Sequence, residues 1–305
     1  MPDAGDLELI RGFCERGILP LPPFATRTAI ALARDDLSNN DDLISIIASD
    51  SRLEFLFLAG AQLPVCSLSR CLPLSLSSSP SHNPRSHTVR HAVAQLGRRK
   101  SLSLLWLIAL SDFLHTWPSL DNQIRDRLWR HSLLTGLLTK QLANSAGLLN
   151  SDHALAAGLA HDLGHLLIAS PVPRLGILCD EEPDQFADMA LSPAPERDHC
   201  RLGATLLTIW DAPAEVVASA RHHHDPTFAA PEVRPLVVAV RLADLIAEHV
   251  DLARPGASLQ LDTAPAWQQL AAIPPWDQVA HLHRLAIQYL PDTIILAHHV
   301  AHFFG

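Results

Sequence analysis

Long apolar runs are missing from this 305-residue chain: no uninterrupted stretch reaches the roughly 18 residues of a membrane-spanning helix. The opening Met1-Pro2-Asp3-Ala4-Gly5-Asp6 lacks the basic start and apolar core of a secretory leader, which makes the cytoplasm the expected compartment. Cysteine is scarce and unpatterned. Cys14, Cys66, Cys71, Cys179 and Cys200 are odd in number, widely spaced and without a CxxC pair, so neither a disulfide framework nor a cysteine-built structural zinc site is indicated. They are expected to be reduced and mostly structural. Positive charge is also in short supply: 23 Lys and Arg face 32 Asp and Glu, giving a net charge of -9 and a pI near 6.0. That balance argues against a phosphate-backbone binder, whose affinity rests on clustered cations, and no nucleic-acid partner is expected. The one basic cluster, Arg98-Arg99-Lys100, reads as a solvated helix end or turn. Sustained strand alternation, an Asn-Gly hairpin, a phosphate-cradling glycine loop and a GxSxG elbow are all missing too.

What remains is helical. Apolar residues recur at i, i+3 and i+4 in Leu9-Ile10-Phe13, in Phe24 through Leu32, in Leu43-Ile46-Ile47 and in Leu53-Leu56-Phe57. The breaks between them, Leu19-Pro20-Leu21-Pro22-Pro23 and residues 35–40, carry helix stops and N-cap residue types. Residues 67–86 are serine-rich and too poor in periodic apolar residues to pack, which predicts a mobile loop. Helical pattern resumes at Val89-Val93-Leu96, continues through Leu102-Leu105-Trp106-Ala109, and returns in Ile124-Leu128-His131-Leu134-Leu138-Leu142. One helix is expected from Ala154 through Leu166-Leu167, another from about Pro195-Glu196, a third from Pro213 to about His224, and a fourth over 235–250. The C-terminal segment reads as two or three amphipathic helices that either cover the bundle or offer a face to another protein. With 48% hydrophobic residues a sizeable core can be filled, and the expected class is all-α.

Eighteen histidines is the unusual count, and they are dispersed through helical sequence. Seven residues, His131, His161, Asp162, His199, His223, His224 and Asp244, each sit in a helix-like stretch with apolar neighbours, where a side chain can point into a bundle interior. Imidazole nitrogen and carboxylate oxygen suit divalent metals that activate water at neutral pH. His161, Asp162, His131 and Asp244 read as one position, and His199, His223 and His224 as a second about 3.5–4 Å away, the spacing that clamps an in-line phosphoryl displacement. Two alternatives stand beside this. The first four residues form a satisfied polar network in the core, or the histidines before Pro226 bond helix-end carbonyls. One or two divalent ions are expected, with Fe, Mn, Zn and Ni all compatible. Trp129 and Trp210 are expected in the core, and the remaining histidines are expected to be structural or solvated, with His222 as an outer group.

Five segments together resemble the HDOD branch of the HD superfamily: Trp129-Arg130-His131-Ser132, Ala157 through Gly164, Asp198-His199-Cys200-Arg201-Leu202-Gly203, Ala220 through Pro226, and Ala243-Asp244. Ile18 through Pro23, Asp42 through Asp50 and Ala92 through Gly97 are similar to the opening helical module of HDOD proteins. The resemblance implies an N-terminal helical part over 1–115, an HD-type metal-binding bundle over 116–250 and a helical extension over 251–305. It implies a bacterial signalling or regulatory role, exerted by binding a protein partner or a small nucleotide. The related HD-GYP phosphodiesterases are similar through the same seven ordered residues, which implies the alternative of a metal-dependent phosphohydrolase or cyclic-nucleotide phosphodiesterase. In that alternative His161 and Asp162 hold the ions, a bridging water attacks phosphorus and His165 assists the departing oxygen. His165 stands where the HD-GYP enzymes usually carry lysine, and Asp225-Pro226-Thr227-Phe228-Ala229 stands in place of the GYP tripeptide.

Overall fold

The apolar stripes become helices throughout the computed structural model, which describes residues 4–35, 37–63, 88–117, 121–148, 153–168, 196–252, 265–279 and 282–304. Among the described residues there are thirteen α-helices, the 3₁₀ turns Pro226–Phe228 and Trp276–Gln278, and no β-strand: the fold is all-α. The serine-rich stretch 67–86, expected to be a mobile loop, lies outside the described residues.

The chain opens with α1 (Ala4–Glu15), α2 (Phe24–Arg34), α3 (Asn40–Ser49), α4 (Ser51–Gly60) and the long α5 (Val89–Thr116). Local chemistry sets the starts: the Asn39 side chain accepts from the Asp41 N–H, Asp50 from Leu53, and Thr88 from His91, each satisfying a backbone donor that a helix end leaves unpaired. Gly97 breaks the regular winding of α5 with φ of +72°, a conformation that glycine adopts without a Cβ penalty. The break brings Arg98 back toward the α2–α3 connection. Its guanidinium donates to the carbonyls of Leu32, Asp35 and Ser38, to Ser38 Oγ and to Asn40 Oδ1. The expectation that this basic cluster is merely solvated is therefore corrected for Arg98, which ties the end of α2 to the start of α3.

The centre is built from α6 (Asn122–Ser145), α7 (Ala154–Ala160), α8 (Gly164–Ile168), α9 (Glu196–Ile209), α10 (Ala214–His222) and α11 (Arg234–Leu252). Helix α6 packs against α7 on one side and α11 on another, and α10 lies on both α7 and α9. Leu137, Leu138, Leu155, Leu206, Val238 and Ile246 are fully buried between them. Each such side chain contributes about 1.5–3 kcal/mol through removal from water. Trp129 and Trp210 are buried as expected. Helix α1 packs on α9, where Arg201 pairs with the buried Asp6 and with Asp198.

The C-terminal segment forms α12 (Pro265–Ala271) and a single long α13 (Leu282–Phe304), with Pro291 inside it. It covers the bundle. Helix α13 runs along α6, Thr293 Oγ1 lies 3.1 Å from Gln141 Oε1, and Ser111 Oγ donates to the Phe304 carbonyl at 2.9 Å. Trp276 Nε1 donates to the Pro235 carbonyl, tethering the segment to the start of α11.

One close contact in the centre is glycine against glycine. A Cβ on Gly158 would lie 2.6 Å from Thr139 Oγ1, 2.7 Å from Gly136 Cα and 2.8 Å from the Thr135 carbonyl, mostly backbone that cannot swing aside. Gly158→Ala is expected to force α7 away from α6 and to cost about 1–3 kcal/mol. A urea unfolding midpoint equal to that of the wild type would contradict this packing.

Candidate metal centre

The seven residues singled out above arrive from five parts of this helical frame. His131 comes from α6, His161 and Asp162 from the turn between α7 and α8, His199 from α9, His223 and His224 from the end of α10, and Asp244 from α11. The turn corrects the expectation of one helix from Ala154 through Leu167. Helix α7 stops at Ala160, and the next amides bond three residues back: Leu163 to Ala160, His165 to Asp162 and Leu166 to Leu163. The reason is the close passage of α9, since a Cβ on Gly164 would lie 1.9 Å from the His199 carbonyl oxygen. Gly203, one turn beyond His199, serves the same approach: a Cβ there would be 3.0 Å from Gly164 N.

The side chains gather into two sets joined by one carboxylate. His161 Nε2 lies 3.2 Å from Asp162 Oδ2 and 3.5 Å from Asp244 Oδ1. His131 Nε2 lies 3.2 Å from Asp244 Oδ1 and 3.5 Å from Asp162 Oδ2. On the other side, Asp162 Oδ1 lies 3.4 Å from both His199 Nε2 and His223 Nε2. Those two nitrogens are 3.3 Å apart, and His224 Nε2 is 3.2 Å from His199 Nε2. Donor atoms held about 2.1 Å from one cation sit about 3–3.4 Å from each other, which is the spacing seen in both sets.

The protonation pattern fits a cation. His161 Nδ1 lies 2.8 Å from the Gly158 carbonyl, to which it donates, and His223 Nδ1 is 3.1 Å from the Ala220 carbonyl and 3.2 Å from that of Ser219. A neutral ring that donates from Nδ1 carries its lone pair on Nε2, the tautomer that ligation requires. The helix-end carbonyl bonds anticipated for His223 therefore coexist with an Nε2 aimed at the other histidines. His161 Nε2 is fully buried yet has no hydrogen-bond partner of acceptable geometry, although two carboxylates surround it. Imidazole nitrogens and carboxylate oxygens converging in a largely buried centre call for positive charge among them, which a protonated His161 or a bound cation would supply.

Electrostatics agree. Burial disfavours charge on His161, but the Asp162 and Asp244 carboxylates outweigh it and lift its pKa from 6.5 to about 9. Burial pushes the Asp162 carboxyl up, but His161 and His223 more than offset this and hold it well below its ordinary value. Asp244 behaves alike, with burial opposed by His131, His161 and Arg241. Burial, aided by neighbouring imidazoles, depresses His199 strongly and takes His224 down to about 3. His165 is also lowered by burial, opposed by Asp162, and its ring stacks on His199 at 4.0 Å between centroids. Its Nε2 is 4.0 Å from Asp162 Oδ1, so it flanks the second set. His222, the last residue of α10, belongs to neither set among the described residues.

Two contributors escaped the sequence reading. Arg241, one turn before Asp244, pairs with Asp244 Oδ2 and with Glu248 Oε1 at 2.9 Å. Its guanidinium fixes one oxygen of Asp244 and leaves Oδ1 to the histidines; the i, i+3, i+7 spacing of Arg241, Asp244 and Glu248 on one helix was the available signal. Cys200, read as a structural thiol, is buried against the second set, and no spacing rule would have found it.

The sign of the His161 shift gives a pH test. A histidine whose pKa is raised on folding stabilises the fold fully below its unfolded value, and that stability is lost as pH climbs through the folded one. Chelator-treated protein is therefore expected to lose stability between about pH 6.5 and pH 9, the ordinary and raised His161 values. A saturating divalent cation takes the proton's place between the carboxylates and removes the loss. Unfolding midpoints measured across this range with and without chelator check it, and identical profiles would contradict it.

Known proteins share this frame. Solved structures with the same fold include a protein from Shewanella amazonensis SB2B provisionally named a phosphohydrolase, with TM-score 0.65, 18% identity and coverage of 95% of this chain and 96% of that one. An HDOD domain protein of unknown function from Geobacter sulfurreducens matches with TM-score 0.64 and 20% identity over 98% of both chains. A protein from Marinobacter aquaeolei VT8, provisionally named a signal transduction protein, matches with TM-score 0.62 and 19% identity over 96% of this chain and 61% of that one. An uncharacterized protein of Treponema pallidum (strain Nichols) is 29% identical over 180 residues, 55% of this chain; the matched part spans a third of that relative's length. The HDOD domain family matches residues 68–226, just over half of the chain, a span that includes His131, His161, Asp162, His199, His223 and His224. This chain belongs to the HDOD family.

Proposed function

We propose that this protein is a metal-dependent HDOD signalling module that holds two divalent cations between its helices and uses them to bind a small nucleotide through its phosphate. The observation that carries this reading is the position of Asp162, whose two oxygens face two separate groups of histidines at 3.2–3.5 Å. His131, His161, Asp162 and Asp244 would hold one ion, and His199, His223 and His224, with the second oxygen of Asp162, the other. Bound there, divalent cations supply Lewis acidity toward phosphate oxygens and lower the pKa of a water molecule. The side chains of His131, Asp162 and His165 retain 13–18% exposure, while His161, His199, His223 and Asp244 are at or below 3%. A ligand would therefore reach the ions past the first three. In the cell such a protein would act in a cytoplasmic signalling pathway, and none of its described helices is long and apolar enough to cross a membrane.

A second reading, phosphoester hydrolysis, draws on the same bridging carboxylate, since two ions so joined clamp the attacking and leaving oxygens of an in-line displacement. Against it weighs His165. Burial lowers its pKa, which disfavours the charged form from which a proton would pass to a leaving oxygen. Binding without turnover is the better supported role.

Purified protein is expected to carry two divalent ions per chain, and Asp162→Ala, which removes a donor from both positions, is expected to lose most of both. Calorimetry with pyrophosphate or a nucleoside monophosphate should then show binding by metal-loaded wild type and none after chelation. Hydrolysis of cyclic dinucleotides or phosphomonoesters by Mn- or Fe-loaded protein, abolished by Asp162→Ala, would instead establish the enzyme. Wild-type protein that binds no metal would overturn both readings.

A further inference from the structure

Building on the reading that the centre binds metal, we propose that Cys200 is a ligand of the second position, which makes that position a thiolate-containing site selective for a thiophilic cation of the zinc type. The donors are already in place. Cys200 Sγ lies 3.5 Å from His199 Nε2 and 4.0 Å from His223 Nε2, and His199 Nε2 lies 3.3 Å from His223 Nε2 and 3.2 Å from His224 Nε2. With metal–nitrogen bonds of about 2.1 Å and metal–sulfur bonds of about 2.3 Å, a tetrahedral ion separates two nitrogens by about 3.4 Å and a nitrogen from a sulfur by about 3.6 Å. Three of these four separations are close to those edges and the Cys200–His223 one is longer by a few tenths of an ångström, and all four donor atoms lie within 4.8 Å of one another.

The local sequence explains how the thiol gets there. Adjacent residues of a helix differ by about 100° in direction, yet Cys200 Sγ comes within 3.5 Å of His199 Nε2. Here α10 delivers His223 and His224 alongside α9, and the glycine contact at Gly164 holds the α7–α8 turn against the His199 backbone. Cys200 is 6% exposed and His199 and His223 are more deeply buried still, so a thiolate formed here would be shielded from water and would need the cation.

The two positions then differ in chemistry. The first offers two imidazoles and two carboxylates, a donor set that Mn, Fe and Zn all accept. The second offers three imidazoles and a thiolate, with Asp162 Oδ1 at 3.4 Å from two of the imidazoles as a fifth donor. Sulfur favours zinc and disfavours magnesium and manganese. On loading, the metal–sulfur bond forms, the S–H bond breaks, and the proton passes to the buffer.

Cobalt(II) distinguishes the outcomes. Titration of metal-free wild-type protein is expected to produce both the visible d–d bands of bound cobalt and a near-ultraviolet thiolate-to-cobalt charge-transfer band. In Cys200→Ser the charge-transfer band should vanish while d–d absorption from the first position persists; Cys14→Ser, which belongs to neither set, should leave both unchanged. A wild type that binds cobalt without the charge-transfer band, or a band that survives in Cys200→Ser, overturns the role of Cys200 and leaves the metal centre standing. No cobalt binding at all overturns the metal centre itself. Because Cys200→Ser could disturb a buried position, zinc K-edge absorption of the unmodified wild type gives an independent reading: a sulfur neighbour at about 2.3 Å is expected, and a shell of nitrogen and oxygen alone contradicts the proposal.

Discussion

A single carboxylate, Asp162, stands at the junction on which the rest of this molecule converges. One of its oxygens faces His131 and His161 and the other faces His199 and His223, in a core from which water is largely excluded. An unpaired carboxylate in such a place is costly, and the helices around it can be understood as the arrangement that compensates the charge. His161, held on the Gly158 carbonyl, presents its lone pair inward; His223 does the same from the end of α10. Both bring an Nε2 to within 3.4 Å of an Asp162 oxygen.

Keeping five helix segments within bonding range of one point demands unusually close backbone approach. The glycines supply it. Gly136 and Gly158 let α6 and α7 touch, which carries His131 toward His161, and Gly164 and Gly203 let the turn after His161 rest on α9, which carries His199 toward Asp162. Arg241 performs the remaining task, neutralising the outer oxygen of Asp244 while Glu248 shares its charge. Packing and electrostatics are thus inseparable here: loosening a glycine contact would separate the ligands, and removing Arg241 would strand a buried carboxylate.

Helices were legible from sequence wherever the apolar period was long and ended in a strong stop, as in α6, α9, α10 and α11. The seven converging residues were legible because their order along the chain carried a family pattern. What sequence could not convey was backbone proximity. The interruption after Ala160 arises from α9 crossing at Gly164, a tertiary contact that the uninterrupted apolar spacing of Leu155, Leu159, Leu163 and Leu167 conceals. Arg98 was misjudged for the same reason: its partners are backbone carbonyls some 60 residues earlier, exposed by the left-handed Gly97, and a run of three basic residues gives no hint of them. Cys200 looked like an ordinary core thiol because no cysteine pattern accompanies it; only the folded neighbourhood of His199, His223 and His224 gives it a second meaning.

The account rests on two cation positions sharing Asp162. The most direct measurement is a crystal structure of protein soaked in a divalent transition metal, with anomalous difference density collected at the metal edge. Two peaks about 3.5–4 Å apart, with one Asp162 oxygen on each, are what the account predicts. A lone peak not touched by Asp162, or fully loaded crystals in which the seven residues bond only to one another, would contradict it.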